Sequence, residues 1–113
     1  MDSNKFNEII NNRIKTIQDL LVTKNQEYAG KQVDRLHNFN KGAEMAGKRA
    51  VEVLMGYKLK HTVSLADIVD EVIAGEEVSR GKFLEKLSDE ITYLLLLECV
   101  MEESGQLREP KYV

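Results

Sequence analysis

The chain has 113 residues, with 16 lysines and arginines against 19 aspartates and glutamates, and a formal net charge of −3. This length predicts a single domain, residues 1–113, that buries roughly two-thirds of the surface its unfolded chain exposes. The apolar share of 42% excludes a disordered chain. The lack of a basic excess argues against nucleic acid as a partner.

The sequence offers no segment that would span a membrane. Its longest uninterrupted apolar run, residues 93–97, has five residues, whereas a membrane-spanning helix needs about 20. The first residues do not resemble a secretory signal, and the single cysteine, Cys99, excludes an internal disulfide. These features predict a cytoplasmic protein with no membrane partner.

Hydrophobic spacing predicts an all-α helical bundle of about four to five helices. Apolar residues recur three and four positions apart, as they do on one face of a helix, over residues 4–28, 33–46, 49–59, 65–73 and 82–104. The only proline is Pro110, so no earlier helix loses a backbone N–H. Glycines that can end a helix in the left-handed conformation closely follow four of these segments: Gly30, Gly47, Gly75 and Gly105.

Capping residues predict two of the helix starts. Asp2, or either of the two residues after it, can accept a backbone N–H at the start of the first helix. Ser64 lies three residues before Asp67, which resembles a capping box and predicts that a new helix begins there. Residues 106–113 are predicted to form an extended tail.

The last predicted helix favours association with a second copy of the chain. Over residues 93–97 it is apolar on every side, and such a helix is normally buried on every side. A monomer of this length has few helices to surround it, so we expect a homodimer or a higher homo-oligomer. The alternative is a monomer whose short helices wrap this segment.

Two acidic residues lie one turn apart on the same helix. Glu85 and Asp89 are four positions apart, so their carboxylates repel each other, and a divalent cation such as Mg²⁺ relieves that repulsion. The alternative is a solvated helix face on which Lys82 and Lys86 compensate the two acids. The spacing alone leaves both interpretations open.

A second polar cluster lies where the first two predicted helices meet. Its members are acids, bases, an amide and aromatic residues: Lys24, Glu27, Tyr28, Asp34, Arg35, His37, Asn38 and Phe39. Asn38 can donate to and accept from a base edge, while Phe39 or Tyr28 can stack on the base. The alternative places Phe39 in the core and leaves Asn38 as a surface or capping residue.

A third cluster precedes the helix start predicted at Ser64. Lys58, Lys60 and His61 bring positive charge close to that start, and a helix N-terminus attracts phosphate through its unpaired N–H groups. The alternative is a basic helix end that complements its own dipole.

In chain order these residues resemble a known family. The motifs are Lys24-x-x-Glu27-Tyr28-Ala29-Gly30, Asn38-Phe39, Lys60-His61-x-x-Ser64 and Glu85-x-x-x-Asp89-x-x-x-Tyr93. They are similar to those of the phage-type nucleotide modification associated domain. That domain is related to the all-α nucleoside triphosphate pyrophosphohydrolases, the MazG and dimeric dUTPase group. The resemblance covers residues 14–102.

The resemblance implies an all-helical protein, dimeric or larger, that binds nucleotides between its helices. It implies a Mg²⁺-dependent hydrolase that converts a (d)NTP to a monophosphate and pyrophosphate, in the host cytoplasm if a phage encodes it. Glu85 and Asp89 would be catalytic and, together with Glu27, would hold the metal. Contacts to phosphate or base are implied for six residues: Lys24, Tyr28, Asn38, Phe39, Lys60 and His61.

The sequence departs from the pyrophosphohydrolase pattern at two positions. Lys24 and Lys86 stand three residues before Glu27 and Asp89, where those enzymes usually carry acids. Three acids can hold one Mg²⁺ with waters, but they are too few for two metals. Two alternatives therefore remain open: a nucleotide-binding protein that senses or sequesters its ligand without catalysis, and a structural helical dimer.

Overall fold

The computed structural model describes residues 1–23 and 34–110. These residues contain four α-helices and no strand: α1 (Ser3–Gln18), α2 (His37–Ala46), α3 (Ala50–Ile73) and α4 (Arg80–Glu103). A π-helical turn, Asp19–Thr23, continues α1. The predicted all-α helical bundle is confirmed. None of the described helices is long and apolar enough to cross a membrane.

Local sequence explains most of the helix ends. The carboxylate of Asp2 accepts the N–H of Lys5 at 2.8 Å and caps α1, and the hydroxyl of Ser79 accepts the N–H of Lys82 at 3.2 Å and caps α4. Glycines with positive φ follow three helices as predicted: Gly47 at 65°, Gly75 at 83° and Gly105 at 69°. Gly30 lies outside the described residues.

The predicted helix start at Ser64 is wrong. Helix α3 runs unbroken through this position, so the two helices predicted over residues 49–59 and 65–73 are one. Neither glycine nor proline interrupts the chain there, and the apolar spacing continues in phase through Leu65 and Ile68. A serine can cap a helix only where the preceding backbone leaves the helical conformation, and here it does not.

The second helix begins later than the predicted residue 33. Residues before it form a turn in which the carboxylate of Asp34 accepts the backbone N–H of Leu36 at 2.9 Å and the side-chain amide of Asn40 at 3.0 Å. The bond from Asn40, followed by that from Leu36, lowers the pKa of Asp34. Such a local bond competes with helical pairing, so α2 starts only at His37.

The core is small and lies where α2, α3 and α4 meet. Leu36, Phe39, Leu54 and Val100 are buried together, and Leu54 has no exposed surface. Helix α1 packs mainly on α4. A hydrogen bond of 2.7 Å from the guanidinium of Arg13 to the hydroxyl of Ser88 joins the two helices.

The ends of the chain add little to this core. Residues 106–110 of the predicted tail lie outside the helices and are exposed, and residues 111–113 lie outside the described part of the chain. The side chain of Arg49, just before α3, donates a hydrogen bond to the side chain of Gln106. This contact ties the start of the tail to the start of α3.

Candidate functional site

Six of the nine predicted site residues lie in the described part of the chain. Lys24, Glu27 and Tyr28 fall outside it. The expected convergence of Glu27 with Glu85 and Asp89 therefore stays a prediction.

Two predicted site residues from different helices meet between α3 and α4. The Nδ1 atom of His61 lies 3.5 Å from Oδ2 of Asp89, and their side chains are 18% and 35% exposed. His61 follows the buried Leu54 by two helical turns, which places it on the face of α3 that packs against α4. Sequence motifs identified each residue separately, and the packing of the two helices joins them.

Tyr93 connects this pair to the core. Its ring lies against the imidazole of His61, with ring centroids 4.9 Å apart and planes tilted by 32°. Phe39 meets the ring of Tyr93 edge-on, with centroids 6.3 Å apart, and the ring of Tyr57 at a tilt of 47°, with centroids 6.2 Å apart. Burial, followed by the neighbouring Tyr57 and Asp89, raises the pKa of the Tyr93 phenol. The imidazole is therefore held between a carboxylate and an aromatic ring.

An ion pair on the same two helices lies beside this site. The ammonium of Lys58 is 2.5 Å from Oε1 of Glu90, and the side chains are only 12% and 13% exposed. The hydroxyl of Thr62 accepts from Lys58 at 3.1 Å and donates to Glu90 at 2.8 Å. Burial raises the pKa of Glu90, but the hydrogen bonds from Lys58 and Thr62 and the nearby positive charge outweigh it, so the net pKa is lowered.

The sequence did not indicate this second contact. Lys58 was identified only as part of a basic cluster, and Glu90 and Thr62 carried no signal. Glu90 lies in a strongly charged stretch of α4, and such stretches are normally solvated. Its burial depends on where Lys58 faces across the helix interface, which only the fold determines.

The other described site residues do not join the His61–Asp89 contact. Glu85, Lys60 and Asn38 are exposed on α4, α3 and α2. Phe39 keeps only 7% of its surface exposed and belongs to the core, which is the alternative that the sequence left open for it.

The predicted phosphate site at a helix N-terminus is absent. Because α3 continues through Ser64, the backbone N–H groups near Lys60 and His61 belong to helical hydrogen bonds and do not point to a ligand. An anion near His61 would therefore contact side chains only.

The carboxylates of Glu85 and Asp89 lack the lysine partners that the alternative interpretation proposed. In residues 1–23 and 34–110, no ion pair joins either acid to Lys82 or Lys86. Nor do these residues contain a group of three His, Cys, Asp or Glu side chains arranged to hold a metal. Two carboxylates one turn apart still suit Mg²⁺, which usually keeps several waters and binds phosphate oxygens.

A further cavity lies away from the His61–Asp89 contact. A cavity of about 690 Å³ opens between the π-helical turn, the turn before α2 and the end of α4. Four acids line it: Asp34, Glu98, Glu102 and Glu103. Arg35 is the one basic residue among the lining residues. The excess of acids disfavours a phosphate group there.

Comparisons of the chain with protein-family models, with curated proteins and with solved structures find no match. The resemblance to the nucleotide modification associated domain therefore stays a prediction from the motifs. The geometry between α3 and α4 is the basis for assigning a function.

Proposed function

We propose that the chain binds a nucleoside triphosphate or its deoxy form and hydrolyses it, with Mg²⁺, to a monophosphate and pyrophosphate. The observation that supports this most is the 3.5 Å contact between His61 and Asp89. The two residues belong to separate motifs of the resembled family, and a site shared by the motifs requires them to be neighbours.

Each residue has a distinct role in this proposal. Glu85 and Asp89 would hold the metal, with Glu27 as the third ligand that the resemblance implies, and Mg²⁺, when bound, would neutralise charge on the phosphates. His61 donates a hydrogen bond to a phosphate oxygen, and Asp89 and the ring of Tyr93 fix the orientation of its imidazole. Lys60 and Lys24 offset the phosphate charge.

Base recognition falls to Asn38, near the start of α2, and to Tyr28. Asn38 is exposed there and can donate to and accept from a base edge. Because Phe39 is buried, Tyr28 is the better candidate for stacking on the base, although both were predicted from the sequence.

A homodimer is part of the same proposal. In the segment over residues 93–97, Leu94 and Leu95 remain 49% and 43% exposed. Side chains of this size are usually covered, and a second copy of the chain can cover them.

A second candidate function is nucleotide binding without hydrolysis. One observation favours it: residues 1–23 and 34–110 contain no group of three metal ligands. Such a protein would sense or sequester its ligand.

The deciding experiment is an assay of pyrophosphate release. The full chain is incubated with Mg²⁺ and a panel of ribo- and deoxyribonucleoside triphosphates. We expect turnover of at least one substrate, and we expect Asp89→Asn and Glu85→Gln each to lower kcat by about 100-fold or more. Glu44→Gln is the matched control, because Glu44 is exposed on α2 and, among residues 1–23 and 34–110, forms an ion pair only with Lys41, at 3.7 Å.

Calorimetry separates the two candidates. Binding that persists in EDTA, with no turnover in Mg²⁺, supports the protein that senses or sequesters its ligand. If no nucleotide is bound or hydrolysed, both candidates are wrong and the structural helical dimer remains.

A further inference from the structure

The chain exposes more surface than a compact monomer of its size. Its accessible surface is 8950 Å², whereas a compact monomer of this mass exposes about 6,300 Å². The radius of gyration is 17.1 Å, against about 13 Å for a compact domain of 100 residues. The excess of about 2,600 Å² is larger than the roughly 800 Å² that each partner buries in a standard interface.

Part of this excess is an apolar stripe on α1. Phe6, Ile10 and Ile14 lie on one face of the helix and are 56%, 42% and 57% exposed. The same face continues to Ile17, which is buried at 4% exposure. Helix α1 is therefore packed near its C-terminal end and bare towards its N-terminal end.

An apolar groove lies beside the packed end. It runs between α1 and α4, has a volume of about 410 Å³, and is lined by apolar side chains that include Ile14, Val22 and Leu95. Its polar lining residues are Arg13, which already donates to Ser88, and Gln18. The groove and the stripe share Ile14, so they form one continuous surface, which we call the α1 surface.

We infer that the α1 surface is the interface between two copies of the chain, with the bare end of each α1 lying in the groove of the partner. The inference rests on the homodimer proposed above and specifies which surface forms it.

The dimensions of the α1 surface fit a two-fold arrangement. From Phe6 to Ile14 the stripe covers eight helical steps, or about 12 Å, and from Ile14 to Val22 the groove covers about the same length. Two antiparallel copies of α1 that cross at Ile14 therefore place Phe6 of one against Val22 of the other. An isologous contact needs a stripe and a groove of matching length, because each copy of the chain must present both.

Three of the four charged side chains on α1 lie away from this contact, and the fourth, Arg13, donates to Ser88. Helical spacing places Lys5, Glu8 and Lys15 on the opposite face from the stripe. Lys5 and Glu8 pair with each other there at 3.9 Å. A net charge of −3 per chain adds little repulsion between two copies.

Molar mass measured by light scattering or sedimentation equilibrium tests the inference. We expect the full chain to have about twice its monomer mass of 12.9 kDa. Phe6→Glu and Ile10→Glu should each raise the dimer dissociation constant by about 100-fold or more, because every dimer would then bury two unpaired carboxylates. The matched control is Val72→Glu, since Val72 is 55% exposed near the end of α3 and lies outside the α1 surface.

Cross-linking provides a second readout that does not depend on introducing a charge. In a Cys99→Ser background, Ile14→Cys should oxidise to a disulfide-linked dimer, because the two copies of residue 14 lie at the two-fold axis. Val72→Cys in the same background should remain unlinked.

Each outcome supports or overturns the inference. If Val72→Glu dissociates the dimer, Phe6→Glu does not, and Ile14→Cys forms no link, another surface forms the homodimer. The homodimer proposal then stands, and the inference about the α1 surface is wrong. A wild-type chain that stays monomeric at high concentration overturns both the interface and the homodimer. If Phe6→Glu loses helicity by circular dichroism, the cross-link at position 14 decides.

Discussion

The same hydrophobic pattern has different outcomes in two regions of the chain. One region is the core formed by α2, α3 and α4, and the other is α1, which packs only in part on α4. The first region buries Leu54 completely and encloses the Lys58–Glu90 ion pair. The second buries Ile17 but leaves Phe6 and Ile14 more than half exposed. Both regions have apolar residues at helical spacing. That spacing predicts which face of a helix is apolar, but whether the face is covered depends on the neighbours that the fold supplies.

The largest expected loss of stability comes from a contact in the core of α2, α3 and α4, and we expect it to affect all three helices. Leu54→Ala should lower the free energy of unfolding by about 3–4 kcal/mol, because it leaves a cavity among three helices. We expect faster amide exchange in α2, α3 and α4 together, measured by hydrogen–deuterium exchange and urea denaturation. Leu59→Ala on the same helix is the control: Leu59 is 63% exposed, so the change should stay within about 0.5 kcal/mol.

The corresponding change in α1 should act locally. Ile17→Ala removes the buried contact of α1 with α4, so amide exchange should accelerate in α1 while α2, α3 and α4 keep their protection. Uniform acceleration across all four helices would contradict this comparison, because α1 would then belong to the same cooperative unit as the core.

The buried ion pair should have the next largest effect. Glu90→Gln leaves Lys58 nearly buried without a counter-charge, and we expect a loss of about 2–3 kcal/mol in the free energy of unfolding at pH 7. The exposed pair Lys41–Glu44 is the control, since Glu44→Gln should cost less than about 0.5 kcal/mol. The double variant Lys58→Met/Glu90→Leu should recover most of the stability, because no unpaired charge remains. Equal losses in Glu90→Gln and Glu44→Gln would show that the pair is effectively solvated.

The sequence predicted the fold class and several helix ends, but not every helix boundary. The all-α class and the helix ends at Gly47 and Gly105 follow from local spacing and from backbone freedom, and both were predicted. The start at Ser64 was predicted wrongly because a capping pattern describes a possible helix end without requiring one.

The candidate site was predictable only in part. His61 and Asp89 were found in separate motifs, but their contact requires α3 to pack against α4. Glu90 was not found, because a charged residue in a charged stretch is normally exposed. Its burial is a property of two helix faces together, and no single segment contains that information.

Acid should weaken the α3–α4 contact through Glu90. Its pKa is lowered in the folded chain, so the unfolded chain binds more protons and stability rises with pH in this range. The stabilisation is complete above the ordinary glutamate pKa of about 4.5 and is lost as the pH falls through the lower folded value. The fall in unfolding free energy at low pH should not exceed the loss caused by Glu90→Gln, because protonation and this substitution remove the same charge.

Urea denaturation between pH 7 and pH 3 measures this dependence. The difference in unfolding free energy between wild type and Glu90→Gln should shrink as the pH falls below about 4.5. A difference that stays constant with pH would mean that the carboxylate of Glu90 contributes no charge-dependent stabilisation. Asp34, whose pKa is also lowered, is present in both proteins, so its titration cancels in the comparison.

The smallest expected effect compares two helical glycines within the packed region. A Cβ atom at Gly56 meets nothing within 4 Å, so Gly56→Ala should raise the free energy of unfolding by about 0.5–1 kcal/mol through helix propensity. A Cβ atom at Gly42 would lie 3.1 Å from Cγ1 of Val53, so the Val53 side chain would have to shift by a few tenths of an ångström. Gly42→Ala should therefore gain less stability than Gly56→Ala, or lose some, in the same urea titration. Equal gains in stability would show that the contact between α2 and α3 adjusts to the added methyl group without a loss of free energy. The tight packing that distinguishes this region from α1 would then be limited to the surroundings of Leu54.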